Sequence, residues 1–184
     1  MSNYQIRVGG FGGQGVMLFG QMLAYAATYS DMNALWLPSY GPETRGGTAN
    51  CGVILSHEPI ASPIFKNPSH LVAFNGSSLN KFNEFMKEGT YILYNSSNID
   101  PSSVFTKAKA IGVPINDIAN ELGMGQVANM VMIGAFLELT GLFNDEVIEK
   151  VLRKILGEKK AKFIPINLEA INRGKAEVRK QLGR

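Results

Sequence analysis

Apolar positions along the chain switch between short strand-length runs and helical stripes. Tyr4-Gln5-Ile6-Arg7-Val8 is short, β-rich and closed by Gly9 and Gly10, which predicts a first strand. Val16 to Tyr29 is almost wholly Ala, Met, Leu, Phe and Tyr, interrupted early only by Gly20 and Gln21. Such a stretch predicts a helix with little polar face, buried on more than one side. Asn33 to Leu37 predicts a second strand stopped by Pro38, and Thr48 to Leu55 a third. Leu71-Val72-Ala73-Phe74 and Tyr91-Ile92-Leu93-Tyr94 predict buried strands, with a helix from Ser77 to Met86 between them. A further strand is expected from Lys109 to Val113, stopped by Pro114. Thereafter the pattern is helical over 115–122, 129–139, 145–156 and 168–182.

Strand–helix alternation followed by helices implies an α/β fold. The expected architecture is a three-layer, Rossmann-like sandwich around a mostly parallel sheet, with helices at the C-terminal end. The hairpin-like region 33–55 leaves room for a mixed sheet. At 184 residues, with no repeat, low-complexity stretch or linker, the chain reads as one domain over 1–184. Residues 127–137 raise a separate question, because Asn129 is their only polar side chain. A helix apolar all round needs a second neighbour besides the sheet. Either the C-terminal helices cover it, or it meets partner subunits and the isolated chain self-associates.

Composition narrows the class. With 45% apolar and 18% charged residues, the chain has ample material for a core, so disorder is excluded. No run of ~18 apolar residues is present to cross a membrane. The N-terminus lacks the basic-then-apolar pattern of a secretory signal, so a cytoplasmic location is expected. A single cysteine, Cys51, allows neither an internal disulfide nor a multi-cysteine metal site. The net charge of +3 is unevenly spread: residues 146–184 hold eleven Lys/Arg against five Asp/Glu. Those charges alternate with Val147, Ile148, Val151, Leu152 and Ile155 in a helical pattern, which favours a solvated helix face over a nucleic-acid surface.

Two segments carry candidate chemistry. In the first, Gly9 to Gly15, the stretch Gly10-Phe11-Gly12-Gly13-Gln14-Gly15 fits G-x-G-x-x-G between the first strand and the first helix. Gly10, Gly12, Gly13, Gln14 and Gly15 are therefore candidate phosphate-binding residues. Glycines let the backbone turn tightly, and helix-terminal N–H groups point at an anion. A dinucleotide fingerprint also needs an acid ~20 residues on, at the end of the second strand. After Leu37 come Pro38, Ser39 and Tyr40, with no acid before Glu43, so that reading loses ground. No Lys-Ser/Thr follows Gly15, so this is not a Walker loop. The plain alternative is a tight turn that serves packing only.

In the second, Tyr40-Gly41-Pro42-Glu43-Thr44-Arg45-Gly46-Gly47, Glu43 and Arg45 are the only charges between Asn33 and Ser56. They form a self-satisfied ion pair, or Arg45 meets a phosphate or carboxylate with its planar fork. Gly46 and Gly47 allow close approach. His57 and His70 lie in loop-like stretches without ligand-spaced neighbours and are expected at the surface or in caps. Cys51, alternating with apolar residues, is expected in the core. No catalytic set and no metal pattern is present in the chain.

Together, Gly10 to Val16 and Tyr40 to Gly47 resemble the gamma subunit of the 2-oxoacid:ferredoxin oxidoreductases, the pyruvate, 2-oxoglutarate, ketoisovalerate and indolepyruvate group. Ile60-Ala61-Ser62-Pro63 completes the family pattern, and Asn129 and 167–174 also resemble it. The resemblance implies an accessory Rossmann-like subunit of an enzyme that decarboxylates a 2-oxoacid oxidatively to acyl-CoA, CO2 and reduced acceptor. Thiamine diphosphate and iron–sulfur clusters are then carried mainly by alpha, beta and delta subunits, and electrons leave to ferredoxin or a similar acceptor. This chain is implied to hold no cofactor alone but to contribute, through Gly10, Gly12, Gly13, Gln14, Gly15, Glu43, Arg45, Gly46 and Gly47, to a coenzyme A surface. A free-standing gamma subunit is expected, with 2-oxoglutarate favoured as substrate. The alternative in another class is a stand-alone nucleotide- or phosphate-binding module.

Overall fold

In the computed structural model, which describes residues 3–40 and 48–183, the first half of the chain alternates strand and helix. The order is β1 (Asn3–Phe11), α1 (Val16–Thr28), β2 (Asn33–Tyr40), β3 (Thr48–Ser56), β4 (His70–Ala73), α2 (Gly76–Asn83), β5 (Tyr91–Asn95) and β6 (Lys109–Val113). Four helices follow: α3 (Ile115–Glu121), α4 (Ala128–Thr140), α5 (Asp145–Leu156) and α6 (Ile164–Leu182). The strands form one sheet in the order β2-β3-β1-β4-β5-β6. β1, β4, β5 and β6 run parallel, while β3 is antiparallel to both β1 and β2. The sheet is therefore mixed, through the 33–55 hairpin region. β2 does not stop at Leu37 as expected but runs on to Tyr40, with Pro38 opposite Cys51. Proline is tolerated there because β2 is an edge strand, where a missing N–H need not break a ladder.

Alternation along each strand sets the layers. Ile6 and Val8 of β1, Cys51, Val53 and Leu55 of β3, Val72 of β4 and Leu93 of β5 join the main core with α1, α3, α4, α5 and α6. On the opposite face, Leu71, Ala73, Ile92 and Tyr94 pack against Leu79 and Phe82 of α2 and against Met86. The sandwich has three layers, but unequal ones.

The all-round apolar helix is covered from within the chain. Residues Asn129 through Leu137 of α4 are all buried. On one side Phe136 meets Phe19 edge-on at 5.7 Å. On the other, α4 and α6 cross with backbones nearly touching: a Cβ on Gly134 would lie 1.9 Å from Ile171 O, and one on Gly174 1.9 Å from Val131 O. Only glycine at both positions permits this approach. α6 begins at Ile164, earlier than the expected 168, with Pro165 in its first turn, where proline has no helix bond to break. The surface invoked for self-association is thus occupied by α6. Much of the basic excess is paired as well: Arg153 with Glu149, Lys150 with Glu146, Arg173 with Glu121, Lys175 with Asp145 and Arg179 with Glu138. No described helix is long and apolar enough to cross a membrane.

Candidate functional site

The glycine run turns the chain from β1 into α1, and its members differ in why glycine is needed. Gly13 and Gly15 take left-handed φ values of +92° and +83°, which disfavour any side chain. At Gly15 a Cβ would also sit 2.5 Å from Asn129 Nδ2. At Gly10 it would lie 2.7 Å from Val16 Cγ2 and 2.8 Å from Gln14 Oε1. Around Gly13 the space is open within 4 Å. Gln14 folds back on the turn: its Oε1 accepts from Phe11 N at 2.7 Å and from Asn75 Nδ2 at 3.1 Å. Asn75 Oδ1 in turn caps α2, accepting from Ser78 N at 2.9 Å. One amide thereby ties the glycine turn to the neighbouring strand end.

Beyond this turn a crevice of about 170 Å³ opens at the carboxyl ends of the parallel strands. Gly13, Gln14, Gly15, Asn95, Asn116, Gln126 and Asn129 line it, with Phe74 and Ile115. Chain direction explains the position. After β1 the chain departs into α1 on one face, and after β4 into α2 on the other, so the crevice lies at a topological switch point. Ligands of open α/β sheets bind there. Asn95 closes one wall: its Nδ2 donates to Phe74 O at 3.3 Å and to Asn116 Oδ1 at 2.6 Å, and its Oδ1 accepts from Ser97 N at 3.1 Å.

No charged side chain is among the described residues that line the crevice. Its attraction for an anion comes from two helix ends. α1 has Gly15 as its cap and α4 has Val127, each without a side-chain cap and without an acid in the first turn. The first-turn N–H groups of α1 are unmatched within the helix and carry the positive end of its dipole, whereas at α4 the Ala128 N–H already donates to Gly125 O of the preceding turn and later N–H groups of its first turn are left. Asn129, 7% exposed in the first turn of α4, leaves its Oδ1 without a hydrogen-bond partner. An orphaned buried acceptor costs about 1–3 kcal/mol, which a donor on a ligand would recover. The arrangement can hold a phosphoryl-sized anion and orient a donor group; it supplies no nucleophile, acid or base among the described residues.

The second motif is placed at its ends. Tyr40 lies opposite Ala49, and Ala49 opposite Gly10. Tyr40, Phe11, Gly12, Gly13 and Gly15 line a common cavity on the far side of the glycine turn. The chain thus leaves β2 and re-enters β3 beside the first motif. Glu43, Arg45, Gly46 and Gly47 lie outside the described residues.

His70 departs from expectation. It opens β4 instead of sitting in a loop, is 4% exposed, stacks on Tyr91 at 5.6 Å and meets Phe136 edge-on. Burial pushes its pKa down to about 4. His57 is exposed. Cys51 is fully buried, as its alternation implies, and burial pushes its thiol up to about 11, with the Trp36 indole, Arg7 and Gly20 offsetting part of the rise. Nothing local in the sequence marks the crevice residues Asn95, Asn116 and Gln126, or Asn75, which holds Gln14 from behind. The one signal is positional: Asn75 and Asn95 follow the apolar runs of parallel strands whose carboxyl ends face ligands.

The family described as pyruvate ferredoxin/flavodoxin oxidoreductase matches residues 5–177 of this chain. Among curated relatives, the ketoisovalerate oxidoreductase subunit VorA of Methanothermobacter marburgensis is 41% identical over 180 residues, covering 97% of this chain and 37% of the relative. The chain therefore spans little more than a third of that protein. The gamma subunit of a keto/oxoacid ferredoxin oxidoreductase from Geobacter sulfurreducens superposes with a TM-score of 0.80 at 31% identity, covering 95% of this chain and 98% of the other. The 2-oxoglutarate:ferredoxin oxidoreductase of Magnetococcus marinus, solved with 2-oxoglutarate, coenzyme A and succinyl-CoA, superposes at 0.89 with 26% identity, over 98% of this chain and 32% of that one.

Proposed function

Because this chain belongs to the pyruvate ferredoxin/flavodoxin oxidoreductase family and is of the gamma-subunit type, we propose that it is the accessory gamma subunit of a complex that oxidatively decarboxylates a 2-oxoacid to acyl-CoA. Alpha, beta and delta subunits carry the thiamine diphosphate and iron–sulfur chemistry in this reading, and a ferredoxin-like acceptor receives the electrons. A sequence with one cysteine, buried in the core, supports leaving the clusters to other chains. We place the complex in the cytoplasm.

The observation that carries an anion-binding role is the crevice at the switch point, with two uncapped helix ends and the orphaned Asn129 Oδ1. Its size suits one phosphoryl group or the donor-bearing arm of coenzyme A, not the whole molecule. Gly10, Gly12, Gly13, Gln14 and Gly15 form its turn, and in this proposal Glu43, Arg45, Gly46 and Gly47 contribute to binding the same ligand. The family's 2-oxoglutarate and ketoisovalerate enzymes both resemble this chain. We favour 2-oxoglutarate for the assembled enzyme. The crevice has no described cation to read a second carboxylate, so the choice of oxoacid is assigned to the other subunits.

The deciding experiment is purification of the tagged chain from its own cells, followed by assay with 2-oxoglutarate and ketoisovalerate, coenzyme A and a viologen dye. Co-purification of thiamine- and cluster-bearing chains, with turnover only in the complex, supports the proposal. A monomer that binds a nucleotide by itself, without partners, overturns it in favour of a stand-alone phosphate-binding module.

A further inference from the structure

A second cavity, of about 280 Å³, lies between α1, α4, α5 and the turn 158–163. Leu18, Met130, Ile155 and Phe163 give it apolar walls, Lys160 lines it, and Asn129 belongs to its wall as well as to that of the crevice. Three features distinguish this groove from a packing defect. The cation is uncompensated: Lys159, Lys160 and Lys162 form no ion pair with any described acid, in contrast to the five basic residues paired elsewhere on the surface. A second cation neighbours that wall without lining it: Lys162 directly precedes the lining residue Phe163, with its Nζ 5.1 Å from the centre of that ring. The Oδ1 of Asn129, nine-tenths buried, has no donor.

Each feature states a requirement for the occupant. Apolar walls of this extent ask for a hydrocarbon body, because such surface is otherwise left against water. Lysines without carboxylate partners ask for an anion at the mouth. A buried acceptor without a partner asks for a hydroxyl or N–H. Met130, unbranched and polarizable, lets the wall adapt to the body that enters.

We propose that this groove binds a small amphipathic organic anion, with its anionic group held by Lys160, with Lys162 close by in sequence, its hydrocarbon body against Leu18, Met130, Ile155 and Phe163, and a donor group meeting Asn129. This site is separate from the switch-point crevice in ligand and in charge, although Asn129 and Gln126 are common to both walls. Asn129 Oδ1 can meet a donor from either side, so the two sites are coupled through that one atom, while Lys160 and the apolar walls belong to the groove alone.

The test uses the full chain, labelled at its methionine methyl groups, and three probes titrated separately: octanoate, its ω-hydroxylated analogue and octylammonium. Calorimetry reads affinity, and the Met130 methyl resonance reads location. Octanoate is expected to bind about tenfold tighter than octylammonium, since the same lysines attract one and repel the other. The ω-hydroxylated analogue is expected to bind tighter still, by about threefold, through Asn129. Lys160→Glu, an exposed substitution that leaves the fold intact, is expected to weaken both carboxylates about tenfold and leave the melting temperature unchanged. Leu156→Trp, at the half-buried rim, is expected to fill the groove and abolish binding of all three. Equal binding of octanoate and octylammonium, an unaffected Lys160→Glu variant, an unmoved Met130 signal or no binding of any probe overturns the proposal.

Discussion

Asn129 in α4 fills the space that a side chain on Gly15 would need, with Asn129 Nδ2 2.5 Å from where the Cβ would stand. That contact joins the cap of α1 to the first turn of α4 and closes the crevice between them. The neighbouring Gly13 has an equally left-handed backbone but open space around it. The two glycines therefore separate strain from crowding. Gly13→Ala is expected to cost about 1–2 kcal/mol, the price of a left-handed alanine alone. Gly15→Ala adds overpacking and is expected to cost about 2–4 kcal/mol. Urea denaturation of both variants measures the difference, and equal losses would show that Asn129 gives way freely.

The sequence made most of the sheet legible because its signals are local. Lys109–Val113 and Asp145–Leu156 have the bounds that periodicity assigns, and the apolar run at Tyr91 needed only one residue more. What it hid are relations between distant residues. His70 looks unremarkable beside Ser69 and Leu71; its burial comes from Tyr91 and Phe136, which the fold brings from far along the chain. The crevice was half legible for the same reason. The glycine turn announces itself, whereas Asn95 and Asn116, which line the crevice, read as ordinary turn and cap residues until the strand ends meet.

His70 gives the fold a dependence on pH. Burial holds its folded-state pKa at about 4, below the ordinary 6.5, so the unfolded chain takes up its proton first as pH falls. Stability from keeping this ring neutral is complete above pH ~6.5 and is lost progressively between pH ~6.5 and ~4, reaching about 3 kcal/mol. His70→Phe keeps the stacking on Tyr91 and removes the titration. Urea midpoints for both proteins across that range should converge for the variant to a flatter profile. Parallel profiles would mean that other groups govern the acid limb.

Arg45 tests the second motif. Tyr40 and Thr48, the described residues on either side of its segment, flank the glycine turn, and an arginine's planar fork suits a bidentate phosphate or carboxylate. Arg45→Lys keeps the charge and loses the fork, so in the purified complex we expect the KM for coenzyme A to rise about tenfold, or the yield of assembled complex to fall. Wild-type values in both Arg45→Lys and Arg45→Ala would reduce the loop to a structural Glu43–Arg45 pair.

The close approach of α4 and α6 sets the last expectation. Gly134 and Gly174 face opposing backbone carbonyls at a distance that leaves no room for a methyl group, since a Cβ on either would stand 1.9 Å from an oxygen. A flexible side chain could swing aside, but the obstacle here is backbone, so α4 and α6 must separate. Gly174→Ala is expected to cost about 3 kcal/mol or more, at the upper end of overpacking. Separation also strips cover from Val131 and Ala135, which are buried in the intact fold and lie at the crossing with α6, and leaves an apolar patch that seeks a partner. The wild-type chain is accordingly expected to sediment as a monomer at about tens of micromolar, a concentration at which an exposed patch of interface size associates, and to leave an apolar dye dark. Gly174→Ala is expected to self-associate and bind the dye. A wild-type dimer that leaves the dye dark would instead point to the edge strand β2, where Leu37 is 40% and Tyr40 69% exposed and the outer ladder is free to pair.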